Sequence, residues 1–88
     1  MDNQWYVYIL QCGDGTLYTG IAKNVAHRLQ MHQNGEGAKY TRGRGPLKLC
    51  YQEAAESYSH ALKREYAIKQ LTRKEKLELI EKYTPEDV

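Results

Sequence analysis

Hydrophobic and polar positions sort this chain into six short elements. Trp5-Tyr6-Val7-Tyr8-Ile9-Leu10 is apolar on both alternating faces, the pattern of a central strand covered above and below. Gly13-Asp14-Gly15 predicts a tight turn, and about Thr16 to Gly20 a second strand returning antiparallel to the first. Asn24 is placed to cap a helix running to about Gln33, with Ala22, Val25 and Leu29 as its apolar face and Asn34-Gly35 at its end. Glu36 to Gly45 lacks periodicity and is expected to be loop. Pro46 opens a third strand, Leu47 to Gln52, in which Leu47, Leu49 and Tyr51 alternate with Lys48 and Cys50. Ser57 caps a helix over about Tyr58 to Leu71. Thr72-Arg73-Lys74-Glu75 has the form of a capping box, starting a third helix to about Lys82 that Thr84-Pro85 closes. The order strand-strand-helix-strand-helix-helix predicts an α+β fold, a small three-stranded antiparallel sheet flanked by three helices.

Length and composition narrow this without redirecting it. Eighty-eight residues, 41% hydrophobic and 27% charged, suit one domain spanning 1–88 with one modest core. No apolar run approaches the roughly 20 residues that span a bilayer, and no secretory signal is evident. Cys12 and Cys50 lack metal-site spacing and are expected to be reduced thiols in a cytoplasmic protein. The net charge is only +2, but it is unevenly spread. Lys39-Tyr40-Thr41-Arg42-Gly43-Arg44-Gly45-Pro46-Leu47-Lys48 carries four positive charges and no negative one. That segment is either a phosphate-contacting loop or a merely solvated one.

One residue breaks the pattern of its helix. On a helical wheel with Ala61 at 0°, Tyr58 falls at about 60°, Leu62 at about 100° and Ile68 at about 340°. Glu65 falls at about 40°, among apolar positions. A carboxylate there needs a partner, either an arginine such as Arg28 or a hard cation in a cleft. Arg28 and His32 are four apart and share a helix face, as a phosphate-binding pair or a plain polar stripe. Tyr8 and Tyr18 become neighbours if the two strands pair, which alone is packing as readily as chemistry, and Gly20 marks either close approach of backbone or ligand or a simple bend.

Together these residues resemble the GIY-YIG family. Its signature tripeptides correspond to Tyr6-Val7-Tyr8-Ile9 and Tyr18-Thr19-Gly20, its arginine to Arg28, a frequent histidine to His32 and its metal-binding glutamate to Glu65. Tyr40-Thr41-Arg42-Gly43-Arg44-Gly45-Pro46 and Lys63-Arg64-Glu65 are similar to segments of the short, stand-alone bacterial members. Tyr6 stands where the first tripeptide has glycine, Val7 and Thr19 replace isoleucines, and Ile21 stands where some DNA-repair members carry lysine.

The resemblance implies a metal-dependent endonuclease hydrolysing phosphodiester bonds of nucleic acid, DNA before RNA, in DNA repair or processing. Tyr8, Tyr18, Arg28, His32 and Glu65 would form the catalytic set, with one Mg²⁺ or Mn²⁺ on Glu65. Tyr18 would act as general base, Tyr8 would hydrogen-bond nearby, and Arg28 would neutralise phosphoryl charge. Lys39, Tyr40, Thr41, Arg42, Arg44 and Lys48 would follow the strand. A monomer with no membrane association is expected. The alternatives are a nucleic-acid-binding module without catalysis, or an interaction domain in which Arg28 and Glu65 simply pair.

Overall fold

The computed structural model describes residues 4–83, so the closing Thr84-Pro85 signal lies outside the described residues. Three strands, β1 (Trp5–Gln11), β2 (Leu17–Ala22) and β3 (Lys48–Ala55), alternate with helices α1 (Val25–Gln33), α2 (Tyr58–Lys69) and α3 (Arg73–Glu81). The sheet is antiparallel in the order β2-β1-β3, which makes β1 the centre, as its two apolar faces require. The α+β architecture expected from the sequence is the one observed.

The two faces of β1 feed two cores. Val7 and Ile9 pack with Tyr51, Ala55, Ala61 and Ile68, joining the sheet to α2 and drawing in Leu79 and Ile80 of α3. Tyr8, Leu10 and Cys12 pack with Ala22, Val25 and Leu47 on the α1 side. The helix starts are local chemistry. Asn24 accepts from His27 N–H, Ser57 from His60 N–H, and Thr72 with Glu75 forms the reciprocal capping box.

Three features depart from the sequence-based expectation. The β3 strand runs three residues further, to Ala55, because all of β1 is available to pair with it. Its register shifts between Ile9 and Leu10, so that Leu49 faces Leu10 and Tyr51 faces Ile9, with Cys50 as the extra residue. The bulge sends Leu47 and Leu49 to the α1 core and Tyr51 to the α2 core, where simple alternation puts all three on one face. The supposed loop before β3 contains a 3-10 turn, Lys39–Thr41, and Thr41 within it is buried.

The face of α2 is also narrower than the wheel suggests. Ala61 and Ile68 are fully buried, whereas Tyr58 and Leu62 are 52% and 40% exposed. Tyr58 lies against Trp5 on the rim, with ring centroids 4.8 Å apart. Glu65 therefore borders the buried stripe without lying in its middle.

Candidate active site

The site is assembled on the α1 side of the hairpin. Tyr8 pairs across the sheet with Gly20, and Tyr18 with Leu10, so the two phenols lie diagonally over the glycine. Their ring centroids are 6.4 Å apart. A Cβ at position 20 would stand 2.6 Å from the Tyr8 hydroxyl oxygen and 3.1 Å from Tyr18 Cε2. Gly20 is thus the floor on which both tyrosines rest.

His32 enters from the last turn of α1 and is 3% exposed, unlike a solvent-facing stripe. Its Nε2 lies 2.9 Å from the Tyr8 hydroxyl, and its Nδ1 lies 3.0 Å from Thr41 Oγ1 and 3.2 Å from Ala38 N. Two proton arrangements satisfy this chain. In one, Nδ1 accepts from the Ala38 N–H, Nε2–H donates to the Tyr8 hydroxyl oxygen, and Thr41 donates to the Ala38 carbonyl at 2.8 Å. In the other, Nδ1 accepts from Ala38 N–H and Thr41, and Nε2–H donates to Tyr8. Both leave the imidazole neutral, and burial together with the Arg28 charge pushes its pKa below the usual histidine value. His32 therefore meets Tyr8 and Thr41 in the interior and not the solvent.

Arg28 and Glu65 reach the same two phenols electrostatically. Burial raises the Tyr8 pKa, with Tyr18 and Glu65 adding to the rise and Arg28 opposing it. Burial and Glu65 likewise raise Tyr18, again against Arg28. Arg28 is exposed on α1 and free of ion pairs among the described residues. The Glu65 side chain is 19% exposed, and its recorded ionic contact is Lys69 one turn on, at 3.4 Å. The sequence offered Arg28 or a cation as its partner; the ion pair formed is with Lys69, and it is long and half exposed.

The basic segment is tied down over this floor. Gly13 N–H donates to the Arg44 carbonyl, and the Arg44 guanidinium bonds Asp14 at 2.6 Å. That guanidinium also covers the Tyr40 ring at 4.5 Å. The Tyr40 ring also stacks on Tyr18, centroids 5.8 Å apart and planes 28° apart. Of the residues expected to follow a strand, Lys39, Arg42 and Lys48 are exposed and Tyr40 partly so. Thr41 faces inward at 2% exposure and holds His32, so it offers no surface for a ligand.

A single, mostly buried carboxylate suits a hard cation that keeps most of its waters and takes its remaining ligands from a phosphate. Among the described residues no group of three or more His, Cys, Asp or Glu side chains gathers to form a closed metal cage. The donor set at Glu65 thus fits Mg²⁺ or Mn²⁺. Sequence reasoning did not find Arg73 and Lys76, which border Tyr40 from α3. They sit in a half of the chain where charges balance, so composition gave no signal. Among the described residues, no helix is long and apolar enough to cross a membrane.

Residues 4–78 match the family model of the GIY-YIG catalytic domain. A UPF0213 protein of Oceanobacillus iheyensis is 59% identical over 81 residues, covering 92% of this chain and 94% of the relative. A UPF0213 protein of Staphylococcus aureus is 57% identical over 75 residues, covering 85% and 92%. The solution NMR structure of the UPF0213 protein BH0048 from Bacillus halodurans is similar with a TM-score of 0.58 and 46% identity, covering 89% of this chain and 83% of that one. The solution NMR structure of EF2693 from E. faecalis gives a TM-score of 0.60 at 37% identity, covering 89% and 84%.

Proposed function

Because the chain belongs to the GIY-YIG family, we propose that it is a metal-dependent nuclease that hydrolyses phosphodiester bonds of nucleic acid, with DNA as the first substrate class. The observation that carries this reading is the Tyr8–Tyr18 pair seated over Gly20, ring centroids 6.4 Å apart, on whose phenols Arg28 and Glu65 act with opposite sign. Those four groups come from four elements, β1, β2, α1 and α2, and bring a cation, an anion and two phenols into electrostatic reach of one another.

Bound at Glu65, Mg²⁺ or Mn²⁺ would supply Lewis-acid polarisation of the scissile phosphate. Arg28 presents a planar fork of donors to the non-bridging oxygens, where charge accumulates as the nucleophile arrives. With its own proton lost, the Tyr18 oxygen would hold the attacking water as a phenolate and take up its proton. A phenol raised by burial and by Glu65 is a poor base at neutral pH. Neutralising the Glu65 charge removes one of the two causes of that rise and leaves Arg28 to lower the pKa. Tyr8 is fixed by His32 and Gly20 and sets the orientation of Tyr18. Processing or repair of DNA is the setting in which such a domain would serve.

The raised phenols also favour a second reading, a domain that grips nucleic acid and cleaves slowly or not at all. The test compares cleavage of labelled single-stranded, duplex and branched DNA and RNA with Mg²⁺, Mn²⁺ or EDTA. Wild type, Glu65→Gln and Tyr18→Phe are run side by side. Metal-dependent cleavage lost in both variants supports the nuclease. Salt-sensitive binding without cleavage transfers support to the second reading.

A further inference from the structure

Beside the phenols lies a separate hollow of about 190 Å³, lined by Thr16, Leu17, Tyr40, Arg73 and Lys76. Tyr40 is shared. Its ring rests on Tyr18 and its edge borders the hollow, so the two spaces are neighbours. The hollow brings together residues distant in sequence. Thr16 and Leu17 open β2, Tyr40 comes from the 3-10 turn, and Arg73 and Lys76 come from α3.

The charge in this hollow is uncompensated. Neither Arg73 nor Lys76 forms an ion pair among the described residues. Glu75, the acidic residue between them, spends its carboxylate on the Thr72 N–H in the capping box. Asp14, at the nearby turn, is committed to Arg44 and Thr16. Arg73 donates one Nη1 bond to the Gly15 carbonyl at 2.8 Å, which anchors the guanidinium at the rim. A fixed guanidinium and an unpaired ammonium around a small hollow form a donor set suited to a phosphate dianion or diester, the Thr16 hydroxyl being already given to Asp14.

We infer that this hollow is a second phosphate subsite, holding a phosphodiester of the bound strand adjacent to the one at the Tyr8–Tyr18 pair. The inference rests on the nucleic-acid reading above and extends it from the 39–48 segment to α3. Lys76 is the principal contact, because Arg73 also holds the turn. A strand seated here passes the exposed Tyr40, whose ring already stacks on Tyr18 and lies under Arg44.

The test is fluorescence anisotropy of labelled single-stranded and duplex oligonucleotides in EDTA, where turnover does not complicate binding. Wild type, Lys76→Ala and Lys74→Ala are titrated across a range of salt concentrations. Lys74 lies on α3 but outside the hollow, so it matches the charge change without the site. Lys76→Ala is expected to weaken binding about 3- to 10-fold and to reduce the salt slope by roughly one contact, while Lys74→Ala stays close to wild type. If wild type binds and the two variants behave alike, the subsite is wrong and the nucleic-acid reading stands. If wild type binds neither oligonucleotide at low salt, the nucleic-acid reading falls and takes the subsite with it.

Discussion

Glu53 on β3 and Glu65 on α2 are both partly buried glutamates near the sheet, yet their surroundings differ. Glu53 is saturated: Tyr51 donates its hydroxyl proton to one oxygen and Arg64 Nε donates to the other at 2.8 Å. The carboxylate in turn helps burial push the Tyr51 phenol up to about 12. Glu65 has one long contact to Lys69 and faces two phenols that it raises but does not bond. The first carboxylate completes a structural triad, whereas the second retains lone pairs for something else. Arg64 and Glu65 are adjacent in sequence, so a single helical turn sends a structural partner to one side and a candidate ligand to the other.

The comparison breaks most sharply at Glu65. Glu65→Gln should reduce metal-dependent cleavage by at least ~100-fold, the upper range seen even for outer-shell partners of metals, with an unchanged unfolding midpoint. Glu53→Gln is its mirror image. It should lower stability by about 1–2 kcal/mol, because a half-buried guanidinium loses its charged acceptor, and leave cleavage intact. Thermal unfolding together with initial rates on one substrate separates the two, and a swap of phenotypes would overturn the assignment.

His32 gives the next effect. Its folded pKa is depressed, so its contribution to stability is present above the unfolded value near 6.5 and is lost as pH falls toward the folded value. Denaturant unfolding at pH 7.5 and pH 5 should show a loss in wild type that is reduced in His32→Gln. Thr19→Val follows. Thr19 Oγ1 is buried, with no hydrogen-bond partner among the described residues, so the isosteric apolar side chain should stabilise by about 1 kcal/mol. The smallest change is expected for Lys69→Ala. Removing an exposed i,i+4 partner should cost about 0.3–0.5 kcal/mol while leaving Glu65 free to bind a cation, and titration with Mn²⁺ would detect any gain.

The helix caps were legible because each is a side chain bonding backbone two or three residues away: Asn24, Ser57 and the Thr72–Glu75 box. The central role of β1 was legible from its two apolar faces. The bulge at Cys50 was not, since it exists only against β1, and periodicity within β3 carries no trace of it. At the site, Glu65 stood out because it interrupts an apolar stripe, but its partner did not. The wheel counts Tyr58 and Leu62 among the apolar positions, whereas both stand largely exposed in the fold. The deep seat of His32 depends on Thr41 and on the close backbone at Gly37, contacts that close only when the loop folds over α1. Arg73 and Lys76 were hidden for a similar reason, because proximity to Tyr40 is a property of the fold.

Gly20 carries an evolutionary consequence. Every glycine codon lies one base from an alanine codon, and one methyl group here would push directly on the Tyr8 hydroxyl and the Tyr18 ring. The core on the α2 side would be left standing, and the disturbance would fall on Tyr8 and Tyr18 within the α1-side core. A lineage could therefore pass from a working site to a folded, silent one in a single genetic step, and return by the same step.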